Sequence, residues 1–211
     1  MADPAKAFFD SLTSYERIRE LVDSGEAEGQ YLECKAPGSP QLTRDLRASL
    51  AQAASGFANS GGGVFVWGVH TDKHPASSLD VLTEVVPLAN ARRFAQEVDR
   101  HLIRATRPQL ALDPSRTLHD SQGASRGLVI TYIPPTPGDP VQTTSDRKFY
   151  LRVGDEFHEM PYEVLQRMFL GAREPVLRAM FDGTRASFAE DGTWTLPIVI
   201  TNDSTAAGRD V

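Results

Sequence analysis

Residues 56–69 read Gly56-Phe57-Ala58-Asn59-Ser60-Gly61-Gly62-Gly63-Val64-Phe65-Val66-Trp67-Gly68-Val69. The first part of this stretch closes a helix, three glycines stop and turn it, and a bulky apolar run then begins a strand. Upstream, Leu46, Leu50, Ala53, Ala54 and Phe57 fall on one helical stripe with Thr43 placed to cap it, which predicts a helix over 43–58. Downstream, the run from Val64 to Val69 holds no polar side chain, so the strand is expected to be buried on both faces. The order helix, glycine turn, strand also excludes a phosphate loop, in which a strand leads into a helix whose N-terminus faces the anion. No Gly-x-x-x-x-Gly-Lys-Ser/Thr, Gly-x-Ser-x-Gly or zinc-spaced histidine pair occurs.

The flanking segments supply the rest of the expected fold. From Gln30 to Lys35 the chain alternates, with Leu32 and Cys34 on one side and Tyr31, Glu33 and Lys35 on the other, as in a strand with one wet face. Residues 36–40 (Ala-Pro-Gly-Ser-Pro) end it. An amphipathic helix is expected within Ser11–Ser24, and a second over Asn90–Ala105 with Phe94, Val98, Leu102 and Ile103 as its apolar side. Asp72 to Ser78 reads as a loop, Leu128–Ile133 and Lys148–Val153 as strands, and Pro161–Leu170 as a helix opened by proline. In the Lys148–Val153 strand, Phe149, Leu151 and Val153 oppose Tyr150 and Arg152. Beyond Glu174 the character turns to β, with a strand signal at Trp194–Thr201 and a turn over Asn202–Gly208. Helices and strands are thus mixed along the chain. Its parts are a lead-in (1–15), a main domain (16–172), and a linker with the start of a β domain continuing past Val211 (173–211), or else a tail packing back on the first domain.

The chain has 211 residues, 40% of them hydrophobic and 24% charged, the balance of an ordinary globular protein. No apolar run approaches the ~18 residues of a membrane span, and the start lacks the basic and apolar regions of a signal peptide. A single cysteine, Cys34, excludes an intrachain disulfide and a cysteine-based zinc cluster, and fits a reducing compartment. The expectation is a cytoplasmic protein without a membrane partner. The formal charge of −6 argues against unspecific coating of DNA. Residues 87–152, however, carry ten basic against six acidic side chains, a basic island in an acidic chain.

Two groups of residues have the composition of a site. Glu28 and Glu33 lie five apart with Lys35 two further on. If Glu33 and Lys35 share a strand face and Glu28 sits on the approach to it, two carboxylates converge, as a hard cation such as Mg²⁺ requires. Asp72, just past the buried strand, is a candidate third carboxylate. The competing reading is a pair of acids on a solvated edge and a loop aspartate. The second group is basic. Arg93, Arg100, Arg104 and Arg107 recur at seven, four and three, one side of a helix, followed by Arg147, Lys148 and Arg152. Such a stripe suits a nucleic-acid backbone, or is simply a solvated face.

Taken together, Glu-x₄-Glu-x-Lys, the helix ending Gly56-Phe57-Ala58-Asn59-Ser60-Gly61-Gly62, the strand Val66-Trp67-Gly68-Val69 and the later Tyr150-Leu151-Arg152-Val153-Gly154 resemble the AlbA_2 domain of Schlafen-like proteins over roughly residues 16–169. Departures from the family pattern are Gly56 for alanine, Cys34 for phenylalanine and Asp155 for a small hydroxyl residue. The resemblance implies an α+β fold, a mixed β-sheet flanked by helices, and binding of RNA or DNA. In vertebrate relatives it implies a three-acid site that cuts RNA with Mg²⁺ or Mn²⁺, whose acids fall on Glu28, Glu33 and, near it, Asp72. On that reading these three hold the ions, Lys35 steadies phosphate or water, and the arginines hold the strand. Relatives that cut RNA use two such lobes, so a homodimer would complete the groove. Two other functions compete: a non-catalytic DNA- or RNA-binding regulatory or sensing module of a larger protein, and a protein-interaction or assembly domain without nucleic acid.

Overall fold

The computed structural model describes residues 3–75, 79–170, 177–181, 187–190, 192–195 and 198–202. It divides into two units, Met1–Phe169 and Leu170–Val211.

In the first unit, helices α1 (Pro4–Ser11) and α2 (Tyr15–Asp23) lead to β1 (Leu32–Lys35), α3 (Arg44–Ala58) and β2 (Gly63–Trp67). The hairpin of β3 (Val69–Lys73) and β4 (Asp80–Val85) precedes α4 (Ala91–Ala105). There follow β5 (Thr106–Arg107), β6 (Arg116–His119), β7 (Gly127–Ile133), β8 (Gln142–Thr143), β9 (Tyr150–Val153), β10 (Glu156–Glu159) and α5 (Tyr162–Leu170). The central sheet runs β1-β2-β7-β6, with β1 parallel to β2 and the other pairs antiparallel. The sheet is mixed because α3 carries the chain from β1 back to start β2 in the same direction, as a parallel pair demands. The fold is α+β, as the sequence predicts.

Alternation along the two central strands divides the core into two layers. Val64, Val66, Leu128 and Ile130 face Phe9, Leu12, Ile18 and Leu21 of the N-terminal helices. Phe65, Trp67, Val129 and Ile133 face Leu50, Ala54 and Phe57 of α3 and Phe94, Val98 and Leu102 of α4. Phe65 stacks on Trp67 at 4.3 Å between ring centres, and Phe94 meets Trp67 edge-on at 5.2 Å. Each such buried aromatic contributes about 1.5–3 kcal/mol by area alone.

Several local expectations are corrected. The helix expected within Ser11–Ser24 is α2, which starts only at Tyr15, with Ser14 accepting the Arg17 N–H as its cap. Residues 4–11, read as a lead-in, form a helix that buries Ala5 and Phe9. The apolar run 64–69 is two strands, because Gly68 at φ +101° turns the chain out of the sheet into the β3–β4 hairpin. That hairpin contains Asp72 and Lys73, expected in a loop whose tip (76–78) lies outside the described residues. Strand β4 has no counterpart among the expected elements. Ile103, expected on the apolar side of α4, is exposed.

In the second unit, β11 (Leu177–Phe181) pairs antiparallel with β14 (Ile198–Asn202), and β12 (Ser187–Phe188) with β13 (Trp194–Thr195). The expected Trp194–Thr201 strand is thus two short strands in different sheets. The Asn202–Gly208 turn lies outside the described residues from 203 onward.

Candidate functional site: a buried carboxylate pair and an arginine-lined helix face

The glycine-turn stretch positions the first site. At the end of α3 the Asn59 side chain accepts the Val141 N–H (2.6 Å) and donates to the carbonyls of Val141 and Tyr150 (both 2.9 Å). The Ser55 hydroxyl donates to Val141 O and accepts the Tyr150 N–H, and Ser60 Oγ accepts the Arg152 N–H. These bonds lash β9 to α3, and Gly56 lets the β9–β10 hairpin come close: a Cβ there would stand 2.4 Å from Phe157 Cδ1. The motif therefore delivers one side chain, Arg152, to the edge of β1.

Arg152 is fully enclosed. Its Nη1 donates to Glu33 Oε2 (2.7 Å), Nη2 to Leu32 O and Gly29 O, and Nε to Gly29 O and Gly154 O. The guanidinium also lies over the Phe157 ring, 4.4 Å from its centre. The opposition read from sequence holds on β9, with the side of the arginine the covered one: Arg152 points inward and Val153, 59% exposed, points out. The expected wet face of β1 is likewise covered, with Glu33 only 6% exposed. Its second oxygen, Oε1, takes Lys35 Nζ at 2.9 Å.

Glu28 is 4% exposed, and its Oε1 accepts the Cys34 N–H at 2.6 Å. Burial first, then the neighbouring Glu33 charge, push its pKa up to about 8, against the pull of Cys34 N–H, Lys35 and Arg152. Burial acts to lower the Lys35 pKa, but Glu33, by charge and hydrogen bond, and then Glu28 and Asp80 override it and hold the ammonium charged. The buried Cys34 thiol is pushed well up, by burial and by the same two glutamates, and is inert.

Glu28, Glu33 and Lys35 share a cleft of about 370 Å³ with Asp80, Asp155, Glu156 and His158. Asp72 does not line it. Val81 bridges Ala27 on one side and pairs with Asp72 on the other, so Asp72 stands two strand spacings, about 10 Å, from the Glu28 backbone. Its carboxylate, 66% exposed, accepts from Thr83 Oγ1 and sits 3.5 Å from His70 Nε2. Asp80, on a strand that no sequence period announces, holds the place at the cleft expected of Asp72. Its carbonyl accepts the Glu28 N–H at 2.7 Å.

The donor set decides whether the Mg²⁺ or Mn²⁺ of the resemblance fits. Both Glu33 oxygens are ion-paired, one Glu28 oxygen takes the Cys34 N–H, and Asp72 is elsewhere. Among the described residues no group of three or more His, Cys, Asp or Glu is placed to hold an ion. These residues do not fit a three-carboxylate ion site in this arrangement.

The arginines form the second group. Positions 93, 97, 100, 101 and 104 fall within about 100° of arc on α4, beside the buried stripe of Phe94, Val98 and Leu102. Arg93, Arg100, Arg104 and His101 line a cleft of about 420 Å³ whose far wall is Arg47 of α3 and Gln41. Arg93 pairs loosely with Glu97 at 3.6 Å, while Arg47, Arg100 and Arg104 have no carboxylate partner among the described residues. Arg107 and Arg147 line a second cleft with Gln142, Thr143 and Thr144. The two clefts adjoin, because Thr144 Oγ1 donates to Arg104 O. Arg147 sits at φ +60° in the turn beside Asp146. Lys148 is paired with Glu159 at 2.6 Å, and Arg152 serves the first site. Of the seven basic residues picked out in sequence, five face these clefts; Arg47, on another helix, could not be linked to them by spacing.

A mixed sheet between two helix layers, with a serine- and asparagine-pinned glycine turn delivering an arginine to a buried carboxylate pair, defines an α+β domain of the AlbA_2 type. The chain belongs to that family: the model described as Schlafen, AlbA_2 matches residues 28–161. No curated protein matches the chain. Among solved structures it is similar to the N-terminal domain of a RecG-related protein from Nitrosomonas europaea, at 16% identity and a TM-score of 0.46, covering 66% of this chain and 87% of that one. It is also similar to the DIP2311 protein from Corynebacterium diphtheriae, at 17% identity and a TM-score of 0.41, covering 76% of this chain and 33% of that one. Among the described residues no helix is long and apolar enough to cross a membrane.

Proposed function

We propose that this chain is a nucleic-acid-binding module whose contact surface is the arginine face of α4. The observation that carries the reading is the set of unpaired guanidiniums, Arg47, Arg100 and Arg104, gathered from two helices around one open cleft and continued by Arg107 and Arg147. From Arg93 to Arg104 the stripe extends about 16 Å along the helix, the reach of several phosphates. It lies within the basic island of an otherwise acidic chain, which localises attraction to one face. Membership of the Schlafen AlbA_2 family is consistent with this function.

Anisotropy titrations of labelled RNA and DNA at increasing salt test it. Binding is expected to weaken linearly in log salt. Arg100→Glu/Arg104→Glu is expected to lower affinity more than tenfold and to flatten the salt slope by about 0.9 for each phosphate no longer neutralised. Binding unchanged in that variant, or absent at low salt, overturns the reading. The same complexes incubated with Mn²⁺, Mg²⁺ or EDTA address the RNA-cutting activity implied by the family. The nucleic acid is expected to remain intact, since Glu33 is committed to Arg152 and Lys35.

A further inference from the structure

The arginine cleft holds one group that does not belong to a purely cationic surface. His101 lies half-buried between α3 and α4, and its Nε2 is 3.0 Å from the backbone carbonyl of Arg47. A carbonyl oxygen only accepts, so Nε2 carries the proton, and in the neutral ring Nδ1 is then an acceptor with a free lone pair. Burial, with the Arg47 charge adding to it against that hydrogen bond, lowers the imidazole pKa, which favours the neutral ring at pH 7. Nδ1 has no partner among the described residues and is not among the sealed-off buried polar atoms. The guanidiniums that line the cleft are donors only, and the carboxylate of Glu97 already serves Arg93 and the Leu42 N–H. The cleft thus offers many donors for phosphate oxygens and two neutral acceptors, the Gln41 amide oxygen in the far wall and the His101 ring nitrogen among the α4 guanidiniums.

We infer that Nδ1 of His101 accepts a hydrogen bond from a ribose 2′-hydroxyl, which makes His101 the residue by which this surface distinguishes RNA from DNA. The inference rests on the arginine-face reading above. Groups that hold phosphates meet the adjoining sugar before they meet a base, and the 2′-hydroxyl is the sugar donor that DNA lacks. Guanidiniums cannot accept from it; a neutral imidazole can.

The test compares one stem-loop RNA with a 2′-fluoro twin, which keeps the A-form and the phosphates but cannot donate at the 2′ position. The expected result is a preference of roughly three- to tenfold for the hydroxyl form, the worth of one neutral hydrogen bond. His101→Phe is expected to erase that preference, binding the hydroxyl and fluoro forms equally whatever its overall affinity. Acidification is a second test on the unaltered chain. Once the ring is protonated both nitrogens donate, so the bond accepted from the 2′-hydroxyl is lost and the preference is expected to shrink to what the hydroxyl oxygen gains by accepting. The charged groups facing His101 are Arg44 and Arg47 from α3, Arg93, Glu97, Arg100 and Arg104 from α4, and Asp146 from the turn before β9. Equal binding of the two RNAs by the wild-type chain, or a preference that survives in His101→Phe, overturns the inference and leaves the arginine-face reading standing. Binding of neither RNA at low salt overturns both.

Discussion

Removing the Arg152 guanidinium would leave the Glu33 carboxylate buried with Lys35 as its one counter-charge. A broken buried pair costs far more than the intact pair contributes, so Arg152→Ala is expected to lose about 3–5 kcal/mol of stability in a denaturant titration. Glu33→Gln is expected to lose less, because three carbonyls still hold the guanidinium. The double variant should lose less than the two singles together; strict additivity would show that the pair is not coupled. Glu28 leads to a pH prediction. Its pKa rises from 4.5 to about 8 on folding, so between those values the folded chain holds a proton that the unfolded chain has released. Stability then falls as pH rises through that window and levels off above it. Glu28→Gln keeps the acceptor for Cys34 N–H but cannot ionise, so its stability relative to wild type should climb from pH 5 to 8; a difference flat across that window would refute the assignment.

At the level of elements, the turn after α3 is an assembly joint. Asn59 satisfies both backbone groups of Val141 and the carbonyl of Tyr150, all in a buried setting. Asn59→Ala strands the Val141 N–H and leaves the Val141 carbonyl to Ser55 alone, and is expected to cost about 1–3 kcal/mol, read as a fall in melting temperature. Gly56→Ala should cost about 1–3 kcal/mol by pushing the Phe157 ring off Arg152. Pairing that change with Phe157→Leu should recover part of the loss, and a double variant no better than Gly56→Ala alone would show the strain lies elsewhere. The helices α3 and α4 are legible in sequence to within a residue, since each has a cap, an apolar stripe and a breaker. The strands are less so. Gly68 divides an unbroken apolar run. Strand β4 reads Asp-Val-Leu-Thr-Glu-Val, which has no clean alternation, and the hairpin it forms shifts register between His70 and Thr71.

For the molecule as a whole, the chain's two units lead to a further expectation. Residues 1–169 hold both core layers and both arginine clefts, so this fragment should fold alone and bind nucleic acid with the affinity of the full chain. Circular dichroism melting and the same anisotropy titration check this; a fragment that folds but binds tenfold more weakly would place part of the contact surface in the second unit.

Local pattern alone is enough to establish the helices α3 and α4 and the arginine stripe, because these depend on periodicity and on residues close together in the chain. It also pairs Glu28 with Glu33, since one strand and its approach carry both. What those carboxylates are is a matter of long-range packing. Arg152, more than a hundred residues away, neutralises Glu33, Asp80 stands where Asp72 is expected, and burial leaves Glu28 protonated. Charge state and partnership depend on which distant segments pack together and on the water they exclude, and no stretch of neighbouring residues carries that information.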